Sequence, residues 1–211
     1  MTTAIIDYGS GNLRSAAKAF ERASAELGLG DDVVVTDKAE QVASADRIVL
    51  PGVGAFADCR AGLFAVPGMT EALNSAVIKG GRPFLGICVG MQILGQSSDE
   101  GEEPGLGWIG GKIRALECRQ DAGNVPLPHM GWNDVSPSQA LPLLSGMQNS
   151  RFYFLHSYYF DNGLSENCGA TANYGGDFTC IVNKDNVWGV QFHPEKSHHF
   201  GSNLLKNFAE L

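Results

Sequence analysis

The sequence predicts a three-layer, doubly wound α/β fold whose mostly parallel sheet gains additional antiparallel strands in the C-terminal half. In the first half, short apolar or β-branched runs alternate with helical stretches, the pattern of parallel strands joined by crossover helices. The second half has short strand-like segments separated by turn residues, and little helix. The chain has 211 residues, of which 44% are hydrophobic, so it can bury a sizeable core.

Four parallel strands are predicted in the first half. They cover residues 4–7, 32–36, 48–50 and 84–87, and the helices between them cover about 12–27, 39–43, 57–64 and 69–78. In a doubly wound sheet, ligands bind beyond the carboxyl ends of the strands. We therefore expect Asp7, residues 51–54 and Cys88 to meet at one edge of the sheet.

Six further strands and a closing helix are predicted in the second half. The strands cover residues 111–115, 129–135, 151–154, 169–173, 178–182 and 187–191, and the helix covers 202–211. No repeat, low-complexity tract or Pro/Ser-rich linker divides the chain. We therefore expect a single domain over residues 1–211.

Charge and cysteine usage argue against several classes of protein. The net charge of −8 argues against nucleic acid or an acidic membrane as a partner. The chain starts without a signal-peptide pattern, and its apolar runs are too short to span a bilayer, which predicts no membrane association. The five cysteines include no CxxC pair, which fits free thiols in a reducing cytoplasm and predicts neither a metal site nor a cofactor.

Residues 86–90, Gly-Ile-Cys-Val-Gly, place one cysteine between two glycines, after an apolar run and before a helix-compatible one. This is the layout of a nucleophile elbow, in which a strand turns sharply into a helix and carries the reactive side chain at a strained apex. Small flanking residues are needed because neighbouring chains pass close to the apex. A helix N-terminus favours the thiolate, so Cys88 is the candidate nucleophile. The alternative is a buried structural cysteine.

A base for this nucleophile is predicted in the segment Gln-Phe-His-Pro-Glu at residues 191–195. A cysteine nucleophile needs a base to take its proton, and the base needs an acceptor that fixes its tautomer. Pro194 disfavours helix for the preceding residue, and residues two apart in extended chain point to the same side. We therefore expect His193 and Glu195 to lie on one face. A lone histidine in a turn is the alternative.

A glycine-rich loop, Pro-Gly-Val-Gly at residues 51–54, follows the third predicted strand. Acyl transfer through a thioester passes through an oxyanion, which is stabilised by backbone N–H groups already in place. The candidate donors are Val53, Gly54 and Val89, the residue after the nucleophile. Taken alone, the loop is only a turn.

These three motifs, in this order, resemble those of the class I (triad) glutamine amidotransferases, which have a flavodoxin-like sheet. Further motifs resemble the glutaminase subunits of imidazole glycerol phosphate synthases, which act in histidine biosynthesis. The motifs lie at residues 7–15, 128–133, 153–159 and 193–197. The resemblance spans the chain from Ile5 to Phe208, and the combination is far more specific than any one motif.

The resemblance implies that the chain hydrolyses glutamine to glutamate and ammonia through a Cys88–His193–Glu195 triad. It also implies a substrate pocket. Gln92 would contact glutamine, Glu100 would hold the α-ammonium group, and the backbone at Ser157 and Tyr158 would bind the α-carboxylate, with Gly52 also in the pocket. The alternatives are an exposed helix glutamine at 92 and an acidic surface loop around 100.

The resemblance further implies a partner, because a glutaminase is useful only when it delivers its ammonia to an acceptor enzyme. That partner is a separate (β/α)8-barrel cyclase subunit, with which the chain would form a heterodimer. Four residues would lie around the mouth of the site and face the barrel: Asn12, Trp132, Tyr153 and Lys196. An exposed tryptophan is a suitable interface anchor, whereas core positions are the alternative for Trp132 and Tyr153.

Three other functions stay open on the sequence. The chain could be a triad cysteine peptidase or amidase without a synthase, a non-catalytic module in which Cys88 is structural, or a glutaminase for another synthase. One further hypothesis concerns regulation. Glycines on both sides of Val53 permit a peptide flip there, by which partner and acceptor binding would align the oxyanion loop.

Overall fold

The computed structural model describes residues 1–118, 125–163 and 167–211. Its strands are, in chain order, β1 (Thr2–Ile6), β2 (Asp32–Thr36), β3 (Arg47–Gly52), β4 (Phe84–Cys88), β5 (Ser97–Ser98), β6 (Lys112–Ala115), β7 (His129–Asp134), β8 (Ser136–Pro137), β9 (Arg151–His156), β10 (Tyr158–Asp161), β11 (Cys168–Asn173), β12 (Asp177–Lys184) and β13 (Val187–Val190).

The helices are α1 (Leu13–Leu27), α2 (Ala39–Ser44), α3 (Phe56–Ala65), α4 (Met69–Leu73), α5 (Val89–Gln92) and α6 (His198–Ala209). Helix α4 continues into a π-helical turn over Asn74–Lys79. None of the helices in the described ranges is long and apolar enough to cross a membrane.

Five strands form the parallel part of the main sheet, in the order β2-β1-β3-β4-β13. Strands β3 and β4 are buried along their whole length, as expected for central strands covered on both faces. Helices α1 and α6 pack together, with the rings of Phe20 and Phe208 6.0 Å apart. Helix α2 packs against α4. The predicted doubly wound α/β fold is therefore confirmed.

The antiparallel part of the sheet begins at β12, which pairs with β13 and continues through β10 to β6. Strand β11 pairs with β12 and the short β8. A separate two-stranded sheet joins β7 to β9. The predicted additional antiparallel strands in the C-terminal half are thus present.

The structure contains three strands that were not predicted, β5, β8 and β10, and its closing helix begins earlier than predicted. Strand β10 was not expected, because no glycine or proline separates it from β9; the chain changes its pairing partner from β7 to β6 at Ser157. The short strands β5 and β8 were also not expected. The closing helix begins at His198, four residues before the predicted start at 202.

Candidate active site

Cys88 ends β4 and immediately precedes α5, so it lies at the apex of a strand–turn–helix unit. Its φ of 56° and ψ of −111° are unfavourable for a residue with a side chain, and the side chain is buried, with 4% of the residue exposed. The predicted strained elbow is therefore present. Helix α5 has a single turn, so the groups around the sulfur matter more for the thiolate than a helix dipole does.

Glycines allow three chain segments to meet behind this apex. A Cβ on Gly86 would lie 2.5 Å from the Gly90 carbonyl oxygen, and one on Gly90 would overlap the Leu50 carbonyl. On the neighbouring strand, a Cβ on Gly52 would lie 2.7 Å from the Gly90 nitrogen. Both flanking glycines are therefore required by close packing, as the sequence indicated, and Gly52 is required as well.

His193 follows β13, whose register pairs Val190 with Ile87 of β4. The carboxyl ends of these parallel strands are adjacent, which brings the two distant sequence motifs together. The His193 backbone N–H donates to the Tyr153 carbonyl (2.9 Å), and its own carbonyl accepts from the Ser197 hydroxyl (2.6 Å). These bonds fix the backbone from which the imidazole projects.

The Nδ1 atom of His193 lies 2.9 Å from Oε1 of Glu195, and both side chains are almost completely buried. The route to this contact differs from the prediction. Residues Pro194–Lys196 form a 3₁₀ turn rather than extended chain, so the carboxylate reaches back from a turn to the imidazole. Burial alone would lower the pKa of His193, but its interactions with Cys88 and Glu195 outweigh burial and raise the pKa to about 10.

A cavity of about 280 Å³ opens over the sulfur. Most of the predicted site residues line it: Val53, Gly54, Cys88, Val89, Gln92, Glu100, Ser157, Tyr158, His193 and Lys196. Gly52, which was predicted in the pocket, is instead buried against the elbow and does not line the cavity. A larger cavity, of about 890 Å³, lies between α1 and α6 on the other side of Glu195, but its lining does not include Cys88. The smaller cavity is therefore the candidate site, and its volume suits a small ligand.

Glu100 and Gln92, which both line this cavity, have defined hydrogen-bond partners. A Glu100 carboxylate oxygen accepts from the backbone N–H of Phe56, at 2.7 Å, and so holds the acidic loop against the start of α3. Gln92 is 2% exposed, so the alternative of an exposed helix glutamine is wrong. Its Nε2 atom donates to the Tyr158 carbonyl and to Oε1 of Gln191, both at 3.2 Å.

The candidate oxyanion loop is exposed, with 42% of Val53 accessible. The Val53 N–H points to the hydroxyl of Ser10, at 3.3 Å, and that hydroxyl donates to the Val53 carbonyl, at 2.7 Å. Gly54 has a φ of 95°, which favours glycine. In this conformation the Val53 N–H is engaged by Ser10.

Of the four candidate interface residues, Lys196 lines the cavity. Trp132 is 39% exposed and stacks on His198, with ring centroids 5.3 Å apart, so the core alternative is wrong for this residue. Tyr153 is partly buried beneath the Lys196 ammonium group, 5.9 Å from its ring centroid. Asn12 is exposed at the start of α1.

Sequence reasoning missed two residues of the site, Ser10 and Gln191. Gln191 is completely buried, and its Nε2 lies 3.8 Å from Sγ of Cys88. It follows Val190 directly, as Cys88 follows Ile87, so the strand register alone would have found it.

Within the described residues, no group of three histidine, cysteine or acidic side chains is arranged to hold a metal ion.

Comparison with known proteins agrees with this geometry. The family model "Glutamine amidotransferase class-I" matches residues 4–211. The chain is 51% identical to the imidazole glycerol phosphate synthase subunit HisH of Brucella suis biovar 1, covering 100% of this chain and 99% of that protein. It is also 51% identical to the HisH subunit of Agrobacterium fabrum, covering 99% and 98%.

A solved structure described as a glutamine amidotransferase superposes with a TM-score of 0.71 at 19% identity, covering 98% of this chain and 97% of the other. A glutamine amidotransferase from Thermotoga maritima superposes with a TM-score of 0.64 at 16% identity, covering 100% and 83%. At such identities these two likenesses concern the fold alone, whereas the family match and the HisH relatives concern descent. The chain belongs to the class I glutamine amidotransferases and, within them, to the HisH subunits of imidazole glycerol phosphate synthase.

Proposed function

We propose that this chain hydrolyses glutamine and passes the ammonia to a cyclase subunit, where imidazole glycerol phosphate and aminoimidazole carboxamide ribotide form in histidine biosynthesis. Family membership supports the pathway. One observation carries the chemistry: the strained Cys88 and the Glu195-bound His193 line or adjoin one cavity of about 280 Å³.

In the first half of the reaction, the Cys88 thiolate attacks the side-chain amide carbon of glutamine. The carbonyl electrons move to the oxygen, and N–H groups of Val89, Gly54 and a realigned Val53 stabilise the resulting oxyanion. When the oxyanion collapses, the C–N bond breaks and His193 gives its proton to the departing nitrogen. Ammonia leaves, and a thioester between Cys88 and the glutamyl group remains.

In the second half, His193 removes a proton from water, and the hydroxide attacks the thioester carbon. The C–S bond then breaks, glutamate leaves, and the thiolate is restored beside a protonated imidazole. Glu195 holds the imidazole through Nδ1 during both halves, which keeps Nε2 directed at the reacting atoms. The two halves together consume glutamine and water and balance without an oxidant or a reductant.

Glutamine would bind with its α-ammonium group at Glu100 and its α-carboxylate at the backbone of Ser157 and Tyr158. The three residues line the cavity, and Ser157 lies where the chain leaves one ladder for another. Gln92 would contact the substrate from the cavity floor, with Gly52 supporting the loop beside it.

The partner would be a (β/α)8-barrel cyclase subunit, which covers the cavity mouth in a heterodimer. Trp132 supports this assignment, because a partly exposed tryptophan is a typical interface anchor. The face would also include Asn12, Tyr153 and Lys196. The chain would act as a single domain. The net charge of −8 argues against nucleic acid or an acidic membrane as a partner, and the four described free thiols suit the reducing cytoplasm.

Glutamate release from glutamine tests this proposal, with the chain alone and with an imidazole glycerol phosphate cyclase subunit plus its acceptor ligand. We expect Cys88→Ala to lower the rate by at least about 10⁴-fold, because the nucleophile is lost. Cys180→Ala, which removes another buried thiol, is the matched control. Glutamate release that survives Cys88→Ala would contradict the chemistry, and a Cys88-dependent rate indifferent to the cyclase would contradict the pathway.

A further inference from the structure

Gln191 carries an uncharged polar side chain into the interior directly behind the nucleophile. The residue is 0% exposed, and its backbone N–H donates to the Cys180 carbonyl, at 2.9 Å, which extends the β12–β13 ladder. The side chain lies between two residues of the site, with Nε2 3.8 Å from Sγ of Cys88 and Oε1 3.2 Å from Nε2 of Gln92. It does not line the cavity described above, so its contact is with the nucleophile and not with the substrate.

A buried amide needs hydrogen-bond partners, because desolvation of its polar ends is otherwise unfavourable. An aliphatic side chain of similar size would fill the same space without that requirement. Here the oxygen end of Gln191 is satisfied by Gln92, and the sulfur of Cys88 is the neighbour of its nitrogen end. The polar group of Gln191 therefore serves as a hydrogen-bond donor to the sulfur.

The orientation of the amide follows from a single backbone carbonyl. The Tyr158 oxygen can only accept, so the end of Gln92 that faces it must be the NH₂ group. The second N–H of that group donates to Oε1 of Gln191. Consequently the NH₂ end of Gln191, and not its oxygen, faces Cys88.

The same carbonyl is held from a second side by buried histidines. His156 donates from Nδ1 to the Tyr158 oxygen, at 2.8 Å, so its Nε2 accepts from Nδ1 of His129, at 2.9 Å. Burial lowers the pKa of His129 to about 4 and that of His156 to about 3, so both stay neutral near pH 7. The donor and acceptor roles in the series of hydrogen bonds from the Tyr158 carbonyl through Gln92 and Gln191 to the sulfur therefore do not change with pH in the neutral range.

We propose that Gln191 is a further catalytic residue, whose side-chain N–H donates a hydrogen bond to Sγ of Cys88 and stabilises the thiolate. A hydrogen bond to an ionised acceptor is roughly twice as strong as one to a neutral acceptor, so the bond favours the thiolate over the thiol. Gln92 holds the donor in place. The inference rests on the proposed glutaminase function and adds to it a residue that acts on the nucleophile from behind.

The pH profile of Cys88 alkylation by iodoacetamide tests the inference without glutamine. The rate at Cys88 is obtained by subtracting that of Cys88→Ala. In Gln191→Met, which keeps the volume and loses the donor, we expect the midpoint of the profile to rise by about one pH unit. With the acceptor ligand and the cyclase present, kcat should fall about tenfold, while KM changes less than about twofold because Gln191 does not line the cavity.

Thr179→Val is the control for a merely structural effect, since Thr179 is a polar residue with 1% exposure on the neighbouring strand β12. An unchanged midpoint in folded Gln191→Met, or an equal shift in Thr179→Val, would overturn the inference. If Gln191→Met does not fold, Gln191→Asn decides instead, because its shorter amide withdraws from the sulfur. A shifted profile without glutamate release would reject the proposed function alone, whereas release with an unshifted profile would reject this inference alone.

Discussion

The back and the rim of the candidate site are built in different ways. Behind the sulfur, Gln92 and Gln191 are both buried, and Nε2 of Gln92 donates to Oε1 of Gln191 and to the Tyr158 carbonyl. At the rim, which here means the cavity residue Val53 and the candidate interface residue Trp132, the two residues are 42% and 39% exposed. The back is thus held by contacts within the chain, whereas the rim has surface still available for contact with another molecule.

This difference indicates how a glutaminase can have its catalytic side chains in place and still hydrolyse glutamine slowly until its partner binds. The proposed nucleophile Cys88 and the proposed base His193 already lie within hydrogen-bonding distance of their neighbours Gln191 and Glu195, respectively, so the proposed chemistry would need no rearrangement of these side chains. The Val53 N–H, in contrast, is engaged by the Ser10 hydroxyl. A change confined to the exposed rim would be enough to complete the oxyanion hole, which agrees with our hypothesis that partner binding aligns the loop.

The largest expected effect concerns the proton affinity of His193, at the buried back. Its interactions with Cys88 and Glu195 overcome burial and raise its pKa to about 10. In Cys88→Ala one of these partners is lost while burial remains, so we expect the pKa to fall by at least about 2 units. Nitrogen-15 NMR of labelled histidine measures the His193 pKa in both proteins. The titration of His129, which should be the same in the wild type and in Cys88→Ala, is the internal control.

The same shift predicts a pH dependence of stability. A pKa raised above the unfolded value of about 6.5 contributes stability that is fully present below pH 6.5 and is lost as the pH rises through about 10. The free energy of unfolding of the wild type should therefore fall more than that of Cys88→Ala over this window, as measured by urea denaturation. Parallel curves would show that the back of the site is not coupled as described.

The next effect concerns the rim and the partner. We expect Trp132→Ala to weaken binding of the cyclase subunit by about 30-fold in Kd, because a stacked, partly exposed tryptophan is a typical binding hot spot. Isothermal titration calorimetry measures it. Ile78→Ala, which truncates a side chain of a residue that is 50% exposed, is the control. If Trp132→Ala and the wild type bind the cyclase subunit with equal affinity, the interface lies elsewhere. If Trp132→Ala changes the rate of Cys88 alkylation, the back and the rim of the site are not independent.

The smallest effect concerns the loop itself. Ser10→Ala removes the hydroxyl that holds both the N–H and the carbonyl of Val53, so the loop loses about 1 kcal/mol of support for this conformation. We expect the glutaminase rate without partner to rise about threefold to fivefold, measured as glutamate release. Ser44→Ala, at an exposed serine of α2, should leave the rate unchanged. A Ser10→Ala rate at or below that of the wild type would count against a restraining role for Ser10.

The parallel half of the fold could be predicted closely from the sequence. Strand β2 has the predicted bounds, and β3 and β4 exceed theirs by a few residues. Their β-branched and apolar runs are bounded by turn residues, and consecutive parallel strands are connected by helices. The strand β10 escaped prediction because no glycine or proline lies between β9 and β10, and only the change of pairing partner at Ser157 separates the two strands.

The candidate site follows the same division. Cys88 and His193 were predictable because a strained apex requires glycines and a base requires an acceptor, and both needs leave local patterns. The 3₁₀ turn that carries Glu195 was not predicted, since the spacing of two residues is compatible with either backbone. Ser10 and Gln191 left no local pattern, because their partners lie 43 and 103 residues away.

By itself, the sequence determined the fold class, the elbow and the members of the proposed triad, because these depend on backbone requirements that particular residue types meet locally. Only the tertiary structure decided what surrounds the sulfur. The pairing of Val190 with Ile87 sets Gln191 beside Cys88, and the Tyr158 carbonyl sets which end of each amide faces which neighbour. Such contacts arise from strand register and from the hydrogen-bond needs of buried groups, and both exist only once distant parts of the chain have packed together.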